Sequence, residues 1–217
     1  MTEQVWKWND REILRYLGCK TETPPEMVQS LVEECKGELE EMAVCKSVWR
    51  EFPLVFRNDV IDMGCLQTSS RNLSRNLKDC DGVLLFGATL GAKVDMLLGR
   101  YEKLQISKAV VLQAAAVAML EACCDRLMEQ LKKEYLVKGR YLRPRFSPGY
   151  GDFPLECQRK IVPALDLNRR LGVTLTDGLL MMPSKSVTAV VGISRIPADC
   201  RVEGCEACGK KDCVYRR

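Results

Sequence analysis

The sequence predicts an α+β protein in which an antiparallel sheet packs against helices, one of them long and central. Three observations carry this prediction. Residues 107–136 read as a single helix whose middle, 110–120, is apolar on nearly every side, the mark of a helix enclosed by the core. Residues 83–86 (Val-Leu-Leu-Phe) form a continuous apolar run of the buried-strand type. Residues 173–182 and 186–196 both alternate as strands, one directly after the other, so the order is mixed rather than strict βαβ.

The other elements follow in order. Residues 10–17 read as a short helix closed by Gly18. Thr23-Pro-Pro opens a longer one, because proline supplies a helix-compatible φ where its missing N–H costs nothing. Val28, Leu31, Cys35, Leu39 and Met42 then recur at helical spacing. Strand-type alternation runs around residues 44–56, a turn falls at Arg57-Asn-Asp, and a short strand follows at Val60 and Ile61. Ser69 or Ser70 offers a hydroxyl to cap a helix through Leu77. Gly87-Ala-Thr-Leu-Gly91 links the apolar strand to a helix ending near Lys103. It carries neither a Walker lysine nor the full dinucleotide glycine pattern, so it reads as tight packing rather than a phosphate cradle. Residues 155–170 read as two short helices broken near Pro163 and closed by Gly172.

A chain of 217 residues suits one medium domain, or one domain with a small appendage. The division expected is 1–198 for the main domain and 199–217 for a cysteine-rich tail. A net charge of +4 is too small to argue for nucleic acid, although residues 1–62 are acidic and the remainder basic. No stretch reads as a membrane span and the N-terminus lacks a signal pattern, so the expectation is a cytoplasmic protein. Eight of the twelve cysteines are scattered through helix- and strand-like segments and read as small core hydrophobes in a reducing compartment. Histidine is absent, which excludes a Ser-His-Asp triad, a Cys-His nucleophile pair and histidine metal ligation.

The remaining four cysteines stand apart. Cys200-x4-Cys205-x2-Cys208-x4-Cys213 places four thiols within fourteen residues, with Gly204 and Gly209 permitting tight turns. Soft thiolates at this density select zinc or an iron–sulfur cluster. The spacing fits neither a paired Cys-x2-Cys zinc ribbon nor a ferredoxin run, so the metal stays open, and Cys200 is the ligand most easily replaced by one from elsewhere.

The segment Arg143-Pro-Arg-Phe-Ser-Pro-Gly-Tyr-Gly-Asp-Phe-Pro154 packs three prolines, two glycines, two arginines and three aromatics into twelve residues. Prolines fix φ while glycines allow φ > 0, so this is a shaped loop. Arg143 and Arg145 offer planar forks for a carboxylate; Phe146, Tyr150 and Phe153 offer flat apolar faces. Within it, Arg145-Phe-Ser-Pro-Gly149-Tyr150 resembles the Arg-x-x-x-Gly-Tyr loop of the reactivation domain of cobalamin-dependent methionine synthase. Leu175-Thr-Asp-Gly-Leu-Leu-Met-Met-Pro183 with Ser186-Val-Thr188 resembles that domain's Leu-Thr-Glu-Ser…Met-x-Pro…Ser-Val-Ser stretch, and Glu121 falls where the family carries a helical glutamate. The resemblance covers roughly residues 80–197. It departs at Gly139, which stands near the position of a second acidic contact, at Asp177, which replaces a glutamate, and in lacking the large enzyme's other domains.

The resemblance implies the family's twisted sheet and a site for S-adenosylmethionine. Arg145 would grip the ligand carboxylate and Glu121 its ammonium, while Gly149, Tyr150 and Met182 line the pocket. It implies no catalytic acid or base. It also implies partners: a corrinoid-binding methionine synthase module, since this chain has no histidine to place beneath cobalt, and a low-potential electron donor such as flavodoxin or ferredoxin. The chain would then be a methyltransferase component that remethylates cobalamin on a separate protein. The alternative is a non-enzymatic metal or iron–sulfur redox module that keeps the fold and works through its tail.

Overall fold

The computed structural model describes residues 10–19 and 24–197. Helices α1 (Asp10–Tyr16) and α2 (Glu26–Met42) lead into β1 (Lys46–Pro53), β2 (Val55–Arg57), β3 (Val60–Asp62), β4 (Gln67–Thr68) and α3 (Arg71–Asn76). Strand β5 (Cys80–Thr89), helices α4 (Ala92–Leu104) and α5 (Ile106–Val137), and strand β6 (Tyr141–Leu142) come next. A 3-10 turn at Leu155–Cys157 opens the last part, with α6 (Gln158–Ala164), α7 (Leu167–Leu171), β7 (Thr174–Leu175), β8 (Met181–Met182) and β9 (Ser186–Ser194).

The main sheet has the order β1-β5-β9-β6 and is antiparallel throughout. Alternate side chains of its two central strands feed two separate cores, as the period of 2 dictates. Leu84, Phe86, Ala88, Ala189, Val191 and Ile193 meet the helical layer of α1, α2, α4 and α5. Val83, Leu85 and Val190 face the other way, toward Leu73, Phe153, Ile161 and Leu167. Both faces are covered, which is why the 83–86 run is apolar without interruption. The antiparallel sheet, packed helices and long central helix read from the sequence are all present.

Helix α5 has 32 residues, a length of about 48 Å. Ala114, Ala115 and Ala116 are buried in it, and such small side chains let neighbouring helices approach. By length and composition α5 is the one described helix long and apolar enough to cross a membrane, which corrects the expectation that no stretch qualifies. Most of that apolar stretch is buried inside the protein, as in a core helix. Near its start the buried Lys108 pairs with Glu34 and, at 2.5 Å, with Glu38, both on α2. Its ammonium also lies 4.3 Å over the Tyr101 ring of α4, whose hydroxyl donates to Glu38. Burial opposes this charge, but the two carboxylates outweigh it and hold the Lys108 pKa above its ordinary value. Three helices are thereby pinned at one point.

Gly87 shows why the strand-to-helix segment needs glycine: a Cβ there would sit 2.8 Å from Leu167 Cδ2. The packing reading of that segment holds. One sequence expectation does not. Residues 173–182 form a small hairpin of two-residue strands in a separate sheet, because the chain turns at Thr176, whose Oγ1 accepts the Leu180 N–H, and Leu179 takes φ 64°. The two short helices do break near Pro163: α6 ends one residue after it, Asp166 adopts the left-handed conformation, and Gly172 closes α7.

The outer edge of β9 is paired along only part of its length. Tyr141 and Leu142 pair with Ser194 and Ile193, Arg143 N–H donates to the Gly192 carbonyl, and Phe146 bridges Val190. The chain then leaves the strand. Among the described residues, 186–189 pair only with β5.

Candidate functional site

The arginine loop departs from β9 at Phe146 and is fixed at several points. Tyr150 N–H closes a turn on the Ser147 carbonyl, and Gly149, at φ 91°, donates its N–H to the Phe153 carbonyl. Gly149 holds a conformation that a side chain would strain. Phe153 is buried as a plug in the second core, with the Phe146 ring 6.3 Å away and Tyr150 edge-on to Phe146 at 6.5 Å. Asp152 crosses to the start of α3, where its carboxylate accepts the Ser70 hydroxyl (2.5 Å) and the N–H groups of Arg71 (2.7 Å) and Asn72 (3.1 Å). Gly151 sits so close that a Cβ would meet Asn72 Nδ2 at 2.3 Å. Ser70 also caps α3 through the Leu73 N–H.

The Ser70 hydroxyl, followed by the two backbone N–H groups, holds the Asp152 carboxyl below its ordinary range. A depressed folded pKa means the contribution is complete above the unfolded value of about 4 and is lost as pH falls through the folded one. Asp152→Asn is expected to cost about 1 kcal/mol at pH 7, with the difference from wild type shrinking below about pH 4. Urea unfolding at pH 7 and pH 3 checks this, and a difference that does not shrink would remove the charge from the account.

The two arginines differ. Arg143 is buried, and its guanidinium donates to the Lys78 carbonyl (3.2 Å) and to Ser194 Oγ (3.5 Å). It holds the loop to the sheet, which corrects its reading as a fork for a ligand. Arg145 instead reaches α5, donating to Glu121 Oε2 at 3.0 Å and Asp125 Oδ1 at 2.5 Å. Burial opposes its charge, but Cys124, Glu121 and Asp125 outweigh that and raise its pKa. The structure therefore brings Arg145 and Glu121 together. Asp125 was missed, although its place four residues after Glu121 is the signal that sets two carboxylates on one helix face.

Tyr150 is well exposed at the loop tip, and Met182 is half exposed on β8, a different hairpin. That hairpin is tied to the helical layer: Ser184 donates through N–H and Oγ to Asp95 of α4, both at 2.7 Å. Lys185 donates to Gln113 of α5, and its pKa is lowered by burial despite Asp95 and Glu102. Asp177 lies exposed in the hairpin turn, its carbonyl accepting from Arg159. Gly139 caps α5 at φ 66°, with its N–H on the Leu136 carbonyl, so the glycine at the expected acidic position ends the helix.

From Ser186 to Val190, where the arginine loop meets β9, is about 13 Å along the strand. From Gln113 to Glu121 along α5 is about 12 Å. The open edge of β9 thus runs between the Arg145–Glu121–Asp125 cluster and the Met182–Lys185 segment. On the same stretch, the buried Thr188 Oγ1 has no hydrogen-bond partner among the described residues. Thr188→Val, which keeps the shape and removes the orphan hydroxyl, is expected to stabilise the chain by about 1 kcal/mol. A lower melting temperature for that variant would show that the hydroxyl has a partner.

The four tail cysteines, Cys200, Cys205, Cys208 and Cys213, lie outside the described residues. Among the described residues no group of three or more Cys, Asp or Glu side chains is placed to hold a metal.

Comparison with known proteins bears on this geometry. Residues 71–199 match the family model described as vitamin B12 dependent methionine synthase, activation domain. No curated protein matches the chain. A solved structure described as the MetH reactivation domain bound to AdoHcy is similar in fold, with a TM-score of 0.61 at 17% identity, over 87% of this chain and 76% of that one.

Proposed function

The chain belongs to the family of vitamin B12 dependent methionine synthase activation domains, and from that membership we propose that it binds S-adenosylmethionine and remethylates the cobalamin of a separate corrinoid-carrying protein. The observation that carries the reading is the convergence of Arg145 with Glu121 beside the open β9 edge. A guanidinium fork suits the ligand's α-carboxylate and a carboxylate its ammonium. Tyr150 and Gly149 on one side, and Met182 on the hairpin, would line the nucleoside portion. Support for the class of ligand comes from the AdoHcy bound to the structurally similar reactivation domain.

The chemistry asks for positioning rather than acid–base work. A one-electron donor reduces cobalt(II) corrinoid, and the cobalt(I) formed takes the methyl group from the sulfonium, leaving S-adenosylhomocysteine. Methylation removes the reduced species and draws an unfavourable reduction forward. Holding donor methyl and acceptor in line is worth a large part of such a barrier. In this proposal the partner is a methionine synthase module, and the donor is flavodoxin- or ferredoxin-like. The tail cysteines bind zinc or an iron–sulfur cluster.

With the corrinoid protein, a low-potential donor and S-adenosylmethionine, the cobalt spectrum is expected to pass from cobalt(II) to methylcobalt. Methyl transfer by the chain alone to a small-molecule acceptor would overturn the proposal. Deleting residues 200–217 tests the tail: an electron relay predicts ligand binding retained with slow reactivation, whereas a structural tail predicts that both fall.

A further inference from the structure

Gln113, Val117 and Glu121 recur every four residues on α5 and are all half-exposed, so they form one stripe along that helix. Both ends of the stripe are met from the β9 side. Arg145, one residue before Phe146 bridges to β9, donates to Glu121, and Lys185, just before β9 begins, donates to Gln113 Oε1. By the period of 2, Lys185 lies on the same side of the strand as Val187, Ala189 and Val191, which pack on the helical layer. The main chain of Lys185 is fixed: its carbonyl accepts the Leu90 N–H (3.0 Å) and the Thr89 hydroxyl (3.3 Å), and Ser184 is tied to Asp95. The open stretch of β9 therefore has a charged cluster at one end and an amide–amine pair at the other, with Val117 and Val187 at the levels between. Lysine carries donors and no acceptor, so it sets which way the Gln113 amide lies, Oε1 toward Lys185 and Nε2 away from it. Among the described residues Nε2 has no hydrogen-bond partner.

We infer that Gln113 determines specificity by reading the amino edge of an adenine base, and that Lys185 is the positioning residue that orients its amide. The inference rests on the S-adenosylmethionine reading above and names what holds the far end of that ligand. Gln113 and Glu121 are about 12 Å apart along α5, a span that a nucleoside joined through sulfur to a four-carbon amino acid bridges. Adenine presents an amino donor beside a ring-nitrogen acceptor, and a side-chain amide matches the two with its oxygen and its NH2 group. Lys185 takes one lone pair of Oε1 and leaves the other for the adenine amino group. A 6-oxo purine presents oxygen where adenine presents N–H, so it meets Oε1 acceptor to acceptor. The amide cannot turn over to suit it, because its NH2 group would then face the Lys185 ammonium donor to donor. Lys185 thus converts a residue that could read either base into one that reads adenine.

The test is titration calorimetry of the whole chain with S-adenosylhomocysteine and with its 6-oxo analogue, S-inosylhomocysteine. Wild type is expected to prefer the adenine ligand about tenfold or more. Gln113→Leu is expected to bring the ratio close to one by weakening the adenine ligand. Lys185→Met is expected to bring it toward one by strengthening the inosine ligand, since the freed amide can turn over. A Lys185 that only supports the fold would weaken both ligands alike and leave the ratio unchanged, and that result overturns its positioning role. A wild-type ratio near one, with both ligands bound, overturns the reading of the base and leaves the S-adenosylmethionine site standing. No binding of either ligand by wild type overturns that site and this inference with it. Circular dichroism first establishes that each variant is folded; where one is not, the wild-type ratio decides.

Discussion

Arg145→Ala is expected to lower affinity for S-adenosylmethionine about ten- to a hundredfold while the fold survives. Arg145 is held by the loop, yet its guanidinium is spent on α5 carboxylates that keep some access to water: Glu121 is 29% and Asp125 58% exposed. Losing the arginine leaves those carboxylates hydrated rather than stranded, so stability changes little. Binding is different, because a charge-assisted fork on a carboxylate is worth roughly 1.5–3 kcal/mol. Arg145→Lys keeps the charge without the fork and is expected to fall between the two. Titration calorimetry decides. Equal affinity for wild type and Arg145→Ala removes the residue from the site, and no binding by wild type counts against the whole proposal.

The largest loss of stability is expected at Phe86. It lies near the middle of β5, flanked by β1 and β9, and its ring is 1% exposed against the helical layer. Phe86→Ala removes the ring from a site where neither the sheet nor the four helices can collapse inward easily, so about 3–5 kcal/mol is expected. Denaturant unfolding with an unchanged slope would show a pure stability effect. A loss under about 1 kcal/mol would contradict the placement of this side chain in the core.

Local signals explain what could be read from the chain. The Ser70 cap, the apolar middle of α5 and the 83–86 run each depend on residues within one element, where periodicity and capping chemistry are decisive. The turn at Thr176 was hidden because the alternation of 173–182 runs on through it as in one strand, and its hydroxyl bond to Leu180 spans only four residues. Asp166 was hidden because a non-glycine left-handed residue leaves no mark in composition. In the site, Arg145 and Glu121 were legible only through a resemblance: 24 residues separate them, and no spacing rule predicts that a loop arginine will return to its helix. The division of labour between Arg143 and Arg145 was not legible at all. It depends on a register shift: from Arg143, opposite Gly192, to Phe146, opposite Val190, three residues of this segment face two of β9, which breaks the alternation of faces.

In the proposed site, the internal pairing of Arg145 with Glu121 and Asp125 would work as a charge filter. A simple anion that took the guanidinium would leave two carboxylates without their counterion and would itself face them. A simple amine that took the carboxylates would leave the guanidinium alone beside it. Either exchange replaces one ion pair with another and adds a repulsion. Only a molecule bearing both charges a bond or two apart can open the pair and satisfy both halves. In the proposed site this arrangement would disfavour nucleotides and plain organic acids by electrostatics, before any contact with the nucleoside portion of a ligand, and would favour a zwitterionic amino-acid end.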